Sequence, residues 1–144
     1  MSDPLGYEID LPLPFDDAVS RVREAIKQEG FGVLTEIDLR AAFKEKLGRE
    51  FRPYVILGAC NPPLAYSAIT ADPSVGLLLP CNVTVESARQ GHCTVRLTNP
   101  EALLGSIVAS AGPELAKVAR DARERMARAA GALQSLALQK PANR

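Results

Sequence analysis

No charge of either sign prevails in this chain: lysine plus arginine and aspartate plus glutamate each number 17 among 144 residues, a formal net charge of zero. A protein that grips a phosphate backbone carries a basic excess, because affinity there comes from neutralised phosphates, so the balance points away from nucleic acid. Long hydrophobic runs are missing as well. Nowhere do eighteen apolar residues follow one another, and Met1 to Asp10 has neither the basic start nor the apolar stretch of a signal peptide. The expectation is a protein of the cytoplasm, neither exported nor held in a membrane.

Cysteine is sparse. Cys60, Cys81 and Cys93 are odd in number and widely spaced, with no Cys-x-x-Cys step, so no disulfide framework is expected and the thiols are read as reduced. Two cysteines cannot fill the four positions of a structural zinc site, and no metal is assigned; any cofactor stays open. Histidine occurs once, at His92. It alternates with Thr94 and Arg96 on the polar side of a strand, near Ser87 and several residue pairs from Cys81. Neither a Cys-His nor a Ser-His-Asp arrangement is expected.

What the chain does have is an ordinary globular balance, 47% hydrophobic and 24% charged. A domain of this length buries roughly 70% of its unfolded surface, so one core suffices and residues 1–144 read as a single domain, with 139–144 as a tail. Leu5 to Leu11 reads as a strand, followed by a helix carrying Ala18, Val19, Val22 and Ile26 behind Asp16 and Asp17. Phe31 to Ile37 is a second strand, and Asp38 caps a helix with Leu39, Ala42, Phe43 and Leu47 on its apolar side.

From Phe51 to Cys60 the run turns apolar on both parities after Pro53, as a covered strand does. Asn61-Pro62 starts a helix to about Ala71, and Asn99-Pro100 another to about Ser110, because Asn accepts orphan N–H groups and proline has none to lose. Gly76 to Glu86 and His92 to Thr98 read as a hairpin joined by Ser87 to Gly91; Pro80 there signals a bulge, kink or edge. Glu114 to Leu138 is a long helix whose stripe, from Leu115 to Leu136, exceeds what so small a domain needs for its own cover. Part of it is free to serve a partner subunit. The fold class expected is α+β: about five strands in a mostly antiparallel sheet, helices on one face, and the long final helix.

Three segments carry a resemblance: Gly30-Phe31-Gly32-Val33-Leu34-Thr35-Glu36-Ile37-Asp38, Gly58-Ala59-Cys60-Asn61-Pro62-Pro63-Leu64-Ala65 and Gly76-Leu77-Leu78-Leu79-Pro80-Cys81-Asn82-Val83. In order and spacing they resemble the bacterial and archaeal family called domain of unknown function 302. The resemblance implies a small, dimeric α+β domain and brings no established catalytic mechanism. Its cysteine-bearing motifs map onto Cys60 and Cys81; Cys93 lies outside them.

Cys60 directly precedes the cap Asn61, which places its sulfur near a positive helix end and unpaired N–H groups, a setting that favours thiolate. It reads either as a nucleophile, redox thiol or soft-metal ligand, or as a small core residue at a strand end. Cys81, in a second Cys-Asn step, shares the core parity of Val83 and Val85. The paired acids Asp16 with Asp17 and Glu36 with Asp38 read as helix-start charges. Lys117, Arg120, Arg123, Arg125 and Arg128 give the last helix a basic look, offset by the i,i+4 pairs Asp121–Arg125 and Glu124–Arg128.

The functional expectation is a homodimeric binding module, two subunits covering each other's open sheet face. Its pocket, near Cys60, Asn61, Cys81 and Asn82, would hold a small ligand, a soft metal or a sulfur species. The alternative is a thiol-dependent redox protein or enzyme using Cys60 with Cys81 as resolving partner.

Overall fold

The computed structural model describes residues 5–139; the expected tail beyond Gln139 lies outside them. Five strands, β1 (Gly6–Leu11), β2 (Gly32–Asp38), β3 (Tyr54–Cys60), β4 (Cys81–Arg89) and β5 (His92–Thr98), form one sheet in the order β1-β5-β4-β3-β2. Every pairing is antiparallel. The helices are α1 (Phe15–Lys27), α2 (Leu39–Leu47), α3 (Pro62–Ala71), α4 (Pro100–Ala111) and α5 (Pro113–Gln139). The α+β expectation holds.

Alternation decides which face is buried. Ile9, Val95, Val85 and Val55 stand in one cross-strand row, all buried beneath α1 and α5. The adjacent row, Glu8, Arg96, Thr84, Ile56 and Ile37, lies on the opposite side of the pleat. α1 seats Ala18, Val22 and Ile26 on the covered face. Full burial of one such aliphatic side chain is worth about 1.5–3 kcal/mol.

Capping follows the residues that invite it. Asp38 accepts from the Ala41 N–H at 3.0 Å, Asn61 from Leu64 at 3.4 Å, and Asn99 from Glu101 at 3.1 Å. Glu36 has a different role from the helix-start charge expected of it: it forms an ion pair with Arg23 of α1.

The strand expected to begin at Gly76 begins at Cys81 instead. Asp72 accepts from the Ser74 N–H at 3.0 Å and the Ser74 hydroxyl at 2.7 Å, which opens a 3-10 turn over Pro73–Leu78. The Leu79–Pro80 peptide bond is cis, and β4 starts just after it. At its other end β4 runs to Arg89, past a register shift between Ser87 and Arg89, leaving Gln90 and Gly91 as the turn.

α5 is 27 residues, about 40 Å at 1.5 Å per residue, and its stripe is occupied within its own chain. Leu115, Val118 and Ala119 pack with Ala68 of α3, Val75 and Leu104 of α4. Met126, Ala129, Ala130 and Leu133 join the core under the sheet. The length of the stripe spans two apolar clusters of its own chain. Three basic residues of α5 are also engaged. Arg125 pairs with Asp121 at 3.2 Å as expected, whereas Arg128 reaches Glu29 at 2.9 Å rather than Glu124, and Arg123 reaches Glu101 at 2.7 Å. No helix among the described residues is long and apolar enough to cross a membrane.

Candidate functional site

β3 ends and β4 begins at the same corner of the sheet. Ala59 stands opposite Cys81 in the ladder, and Gly58 opposite Asn82. Beneath this corner, α3, α4 and α5 close around a cavity of ≈ 290 Å³. Small side chains leave the room: Ala65 and Ala68 of α3 and Ala122 of α5 all face it. Phe31, Leu34, Leu79, Leu104 and Val118 complete an apolar wall. The volume is close to the ~300 Å³ at which small-ligand sites begin.

All three resemblance-bearing segments meet here. A methyl group added at Gly58 would lie 2.3 Å from Thr35 Oγ1 and 2.9 Å from Pro80 Cγ, so one residue of each segment touches at a single point. Gly58 is thus a glycine because two strands' neighbours close over it. The same segments supply Phe31 and Leu34, Ala59 to Asn61, and Leu79 to Cys81 to the cavity wall.

Cys60 and Cys81 both line the cavity. Cys60 is half-buried; Cys81 is 7% exposed. Burial pushes the Cys60 thiol above its ordinary pKa. Cys81 is pushed up to about 11, first by burial and then by the charge Cys60 would carry. The expected thiolate at Cys60 is therefore reversed. The reason lies in α3: Pro62 and Pro63 bring no N–H, the Leu64 N–H is held by Asn61 Oδ1, and the Ala65 N–H by the Asn61 carbonyl. The helix end offers no free donor to a sulfur anion, so desolvation prevails.

Asn61 also lines the cavity but is engaged elsewhere. Its Nδ2 donates to the Glu29 carbonyl at 3.3 Å, and Arg125 donates to the same carbonyl at 3.3 Å. Gly30 turns beside it with φ +88°, where an added Cβ would sit 2.8 Å from Asn61 Nδ2. The residue joins the α1–β2 turn to the β3–α3 junction. Asn82 is not part of this site. Its parity puts it on the opposite face of β4, exposed, in a separate shallow concavity with Tyr7, Tyr54 and Arg96.

The remaining candidates lie apart. Cys93 is buried in β5 opposite Leu11 of β1 and donates to the Leu13 carbonyl at 3.4 Å. His92 pairs with Arg89 beside the hairpin turn, with Asp10 3.7 Å from its Nδ1, at the end of β4 remote from Cys81. Among the described residues no group of three or more His, Cys, Asp or Glu side chains is placed to hold a metal ion. Sequence reasoning missed Leu34 and the helical wall of Ala65, Ala68, Val118 and Ala122. Their signal, small residues on two helices, has meaning only once those helices are placed.

Comparison with known proteins places the fold. No curated protein matches the chain. A solved structure, the crystal structure of an uncharacterized conserved protein DUF302 from Bacillus stearothermophilus, is 30% identical with a TM-score of 0.74, covering 92% of this chain and 98% of that one. The model of one family matches residues 7–133, and the chain belongs to it: the family is DUF302, domain of unknown function.

Proposed function

We propose that the protein is a binding module for a small, largely apolar molecule, seated in the cavity at the β3–β4 corner. One observation carries this reading: three segments distant in sequence converge to wall a space of ≈ 290 Å³ whose surface is apolar except for two thiols and an amide already engaged. Apolar transfer into such a space drives binding, and the polar fringe limits orientation. Cysteine chemistry fits less well as the primary role, since both thiols hold their protons more tightly than a free cysteine.

The module is proposed to act as a homodimer. Tyr54 and Ile56 stand half-buried on the sheet face opposite α1 and α5, beside Ile37, and α2 buries none of its own residues. A second copy covering that face resolves both. Native mass spectrometry of freshly purified protein tests the pair of ideas: dimer mass with a retained small molecule is expected.

For the cavity itself, a series of n-alkanols of rising chain length is the direct probe. Melting temperature is expected to rise with chain length until the space is filled and then fall back; a probe at a hundred times its dissociation constant adds about 2.7 kcal/mol. Ala65→Phe, which puts a ring into the space, removes the effect. Equal responses from the original protein and this variant would refute the reading.

A further inference from the structure

The two thiols of the cavity belong to adjacent strands at one step of diagonal: Ala59, not Cys60, is opposite Cys81. With strands about 4.8 Å apart and about 3.3 Å per residue, their Cα atoms are roughly 6 Å apart. Yet neighbours on that diagonal lean to opposite sides of the pleat, although both, with Pro80 between them, line the cavity. A disulfide needs Cβ atoms about 3.8 Å apart, which this splay opposes. Both cysteines are free thiols. Both thiols line one cavity on neighbouring strands.

We propose that Cys60 and Cys81 together hold a soft centre that accepts two thiolates and brings a formal charge of two, giving a neutral adduct. Two bonds of about 2.3 Å to an interposed atom suit sulfurs that are close but splayed. Neutrality follows from the surroundings. The wall is apolar, the first turn of α3 offers no free N–H, and among the described residues no third ligand of the His, Cys, Asp or Glu type is placed to join the pair. A net charge left in that space would be costly.

Two sources share this chemistry: a linear divalent ion such as mercuric mercury, and trivalent arsenic bearing one organic group. With phenylarsine oxide, two S–H bonds break and two As–S bonds form; the arsenic-bound oxygen leaves as water with both protons, and no element changes oxidation state. With mercuric ion, the two protons pass to solvent. The arsenical has an added seat, because its organic group fills the void; that part rests on the cavity reading given above.

Native mass spectrometry and competition with a small dithiol test the site in the full chain, using phenylarsine oxide and mercuric ion as separate probes. Phenylarsine oxide is expected to add once per chain with loss of one water. Cys60→Ser and Cys81→Ser each weaken both probes at least about a hundredfold, the scale of a lost linked contact, and Cys93→Ser changes nothing. Should Cys81→Ser fail to fold, the half-buried Cys60→Ser still decides the matter. Ala65→Phe weakening the arsenical alone, by about tenfold or more, identifies the organic source; equal binding of both probes by that variant identifies the bare ion. An adduct that retains its oxygen, or one unaffected by loss of Cys60, overturns the proposal. Alkanol stabilisation without a bridged adduct sinks the dithiol site alone, whereas a bridged adduct without alkanol stabilisation sinks the cavity reading alone.

Discussion

The side-chain amide of Asn61 donates to the main-chain carbonyl of Glu29, 32 residues earlier, at 3.3 Å. Its oxygen meanwhile accepts from the Leu64 N–H, so one buried side chain both starts α3 and fixes the turn that feeds β2. Cys60 is held at the cavity as a consequence, since the residue after it cannot rotate without breaking both contacts.

Replacing Asn61 separates these two roles. Asn61→Ala removes a helix cap, worth about 1 kcal/mol, and a hydrogen bond whose loss leaves the Glu29 carbonyl with Arg125 alone, about another 1 kcal/mol. A loss of roughly 2 kcal/mol is expected in urea unfolding. Asn61→Ser retains a capping oxygen but is too short to reach Glu29, and about half that loss is expected. Equal stability of the two variants would show that the cap contributes nothing, and an Asn61→Ser chain as stable as the original would show the same of the tie to Glu29.

Gly58 is walled by Thr35 and Pro80. Gly58→Ala forces a methyl to within 2.3 Å of Thr35 Oγ1 and 2.9 Å of Pro80 Cγ, and overpacking of this kind costs about 1–3 kcal/mol. Removing the hydroxyl with Thr35→Ala in the same chain relieves the closer clash. The double variant is expected to be more stable than the sum of the two single changes indicates. Strict additivity, read from denaturation midpoints, would place the strain elsewhere.

Most of the fold was legible because its signals are local. Alternation in Val83, Val85, Val95 and Leu97 announces the hairpin, and Asn61-Pro62 and Asn99-Pro100 announce helix starts. Asp72-Pro73 has the same grammar, yet the apolar run Val75 to Leu79 reads as strand and hides it. The site was legible in part. Parity places Asn82 away from Cys81 on β4, which the matching Cys-Asn steps obscure. Pro63, which deprives the α3 end of a second donor, is visible in the sequence; its consequence for Cys60 emerges only when the Leu64 and Ala65 N–H groups are seen to be taken. The partners of Arg128 and of the α5 stripe are set by packing between distant segments, which no local pattern encodes.

Cys81 links ionisation to stability. Its folded-state pKa of about 11 exceeds the ordinary value of 9.0, so between those values the native protein retains a proton that the unfolded chain has released. Native protein binding more protons means stability falls as pH rises. The contribution is complete below pH 9 and is lost on the way to pH 11, with a slope of at most about 1.4 kcal/mol per pH unit. Cys81→Ala is expected to flatten this part of the stability profile, although it lowers stability throughout by leaving a small void. A slope unchanged by the substitution would assign the loss to another group. Alkylation follows the same order: Cys60, half-buried, reacts before Cys81, and both react more slowly than a free thiol at pH 8.

Glu86 is the buried acid of the open sheet face, 6% exposed, with Arg52 at 2.6 Å from one oxygen and Arg96 on the other. Burial alone would raise its pKa, but the hydrogen bonds from Arg96 and Arg52, with their charges, outweigh that and hold it below the usual carboxylate range. A carboxyl with a depressed folded-state pKa stabilises the fold above its ordinary value and loses that contribution as pH falls through the folded one. Both guanidiniums are nearly half exposed, so solvent screening reduces the pair's worth well below that of a fully enclosed one. Glu86→Gln is therefore expected to cost about 1–2 kcal/mol at pH 7. The gap to the original protein should narrow as the solution is acidified below pH 4, because protonation then makes the two side chains alike. A gap that persists unchanged at pH 3 would mean that the substitution acts through shape on this face, not through charge.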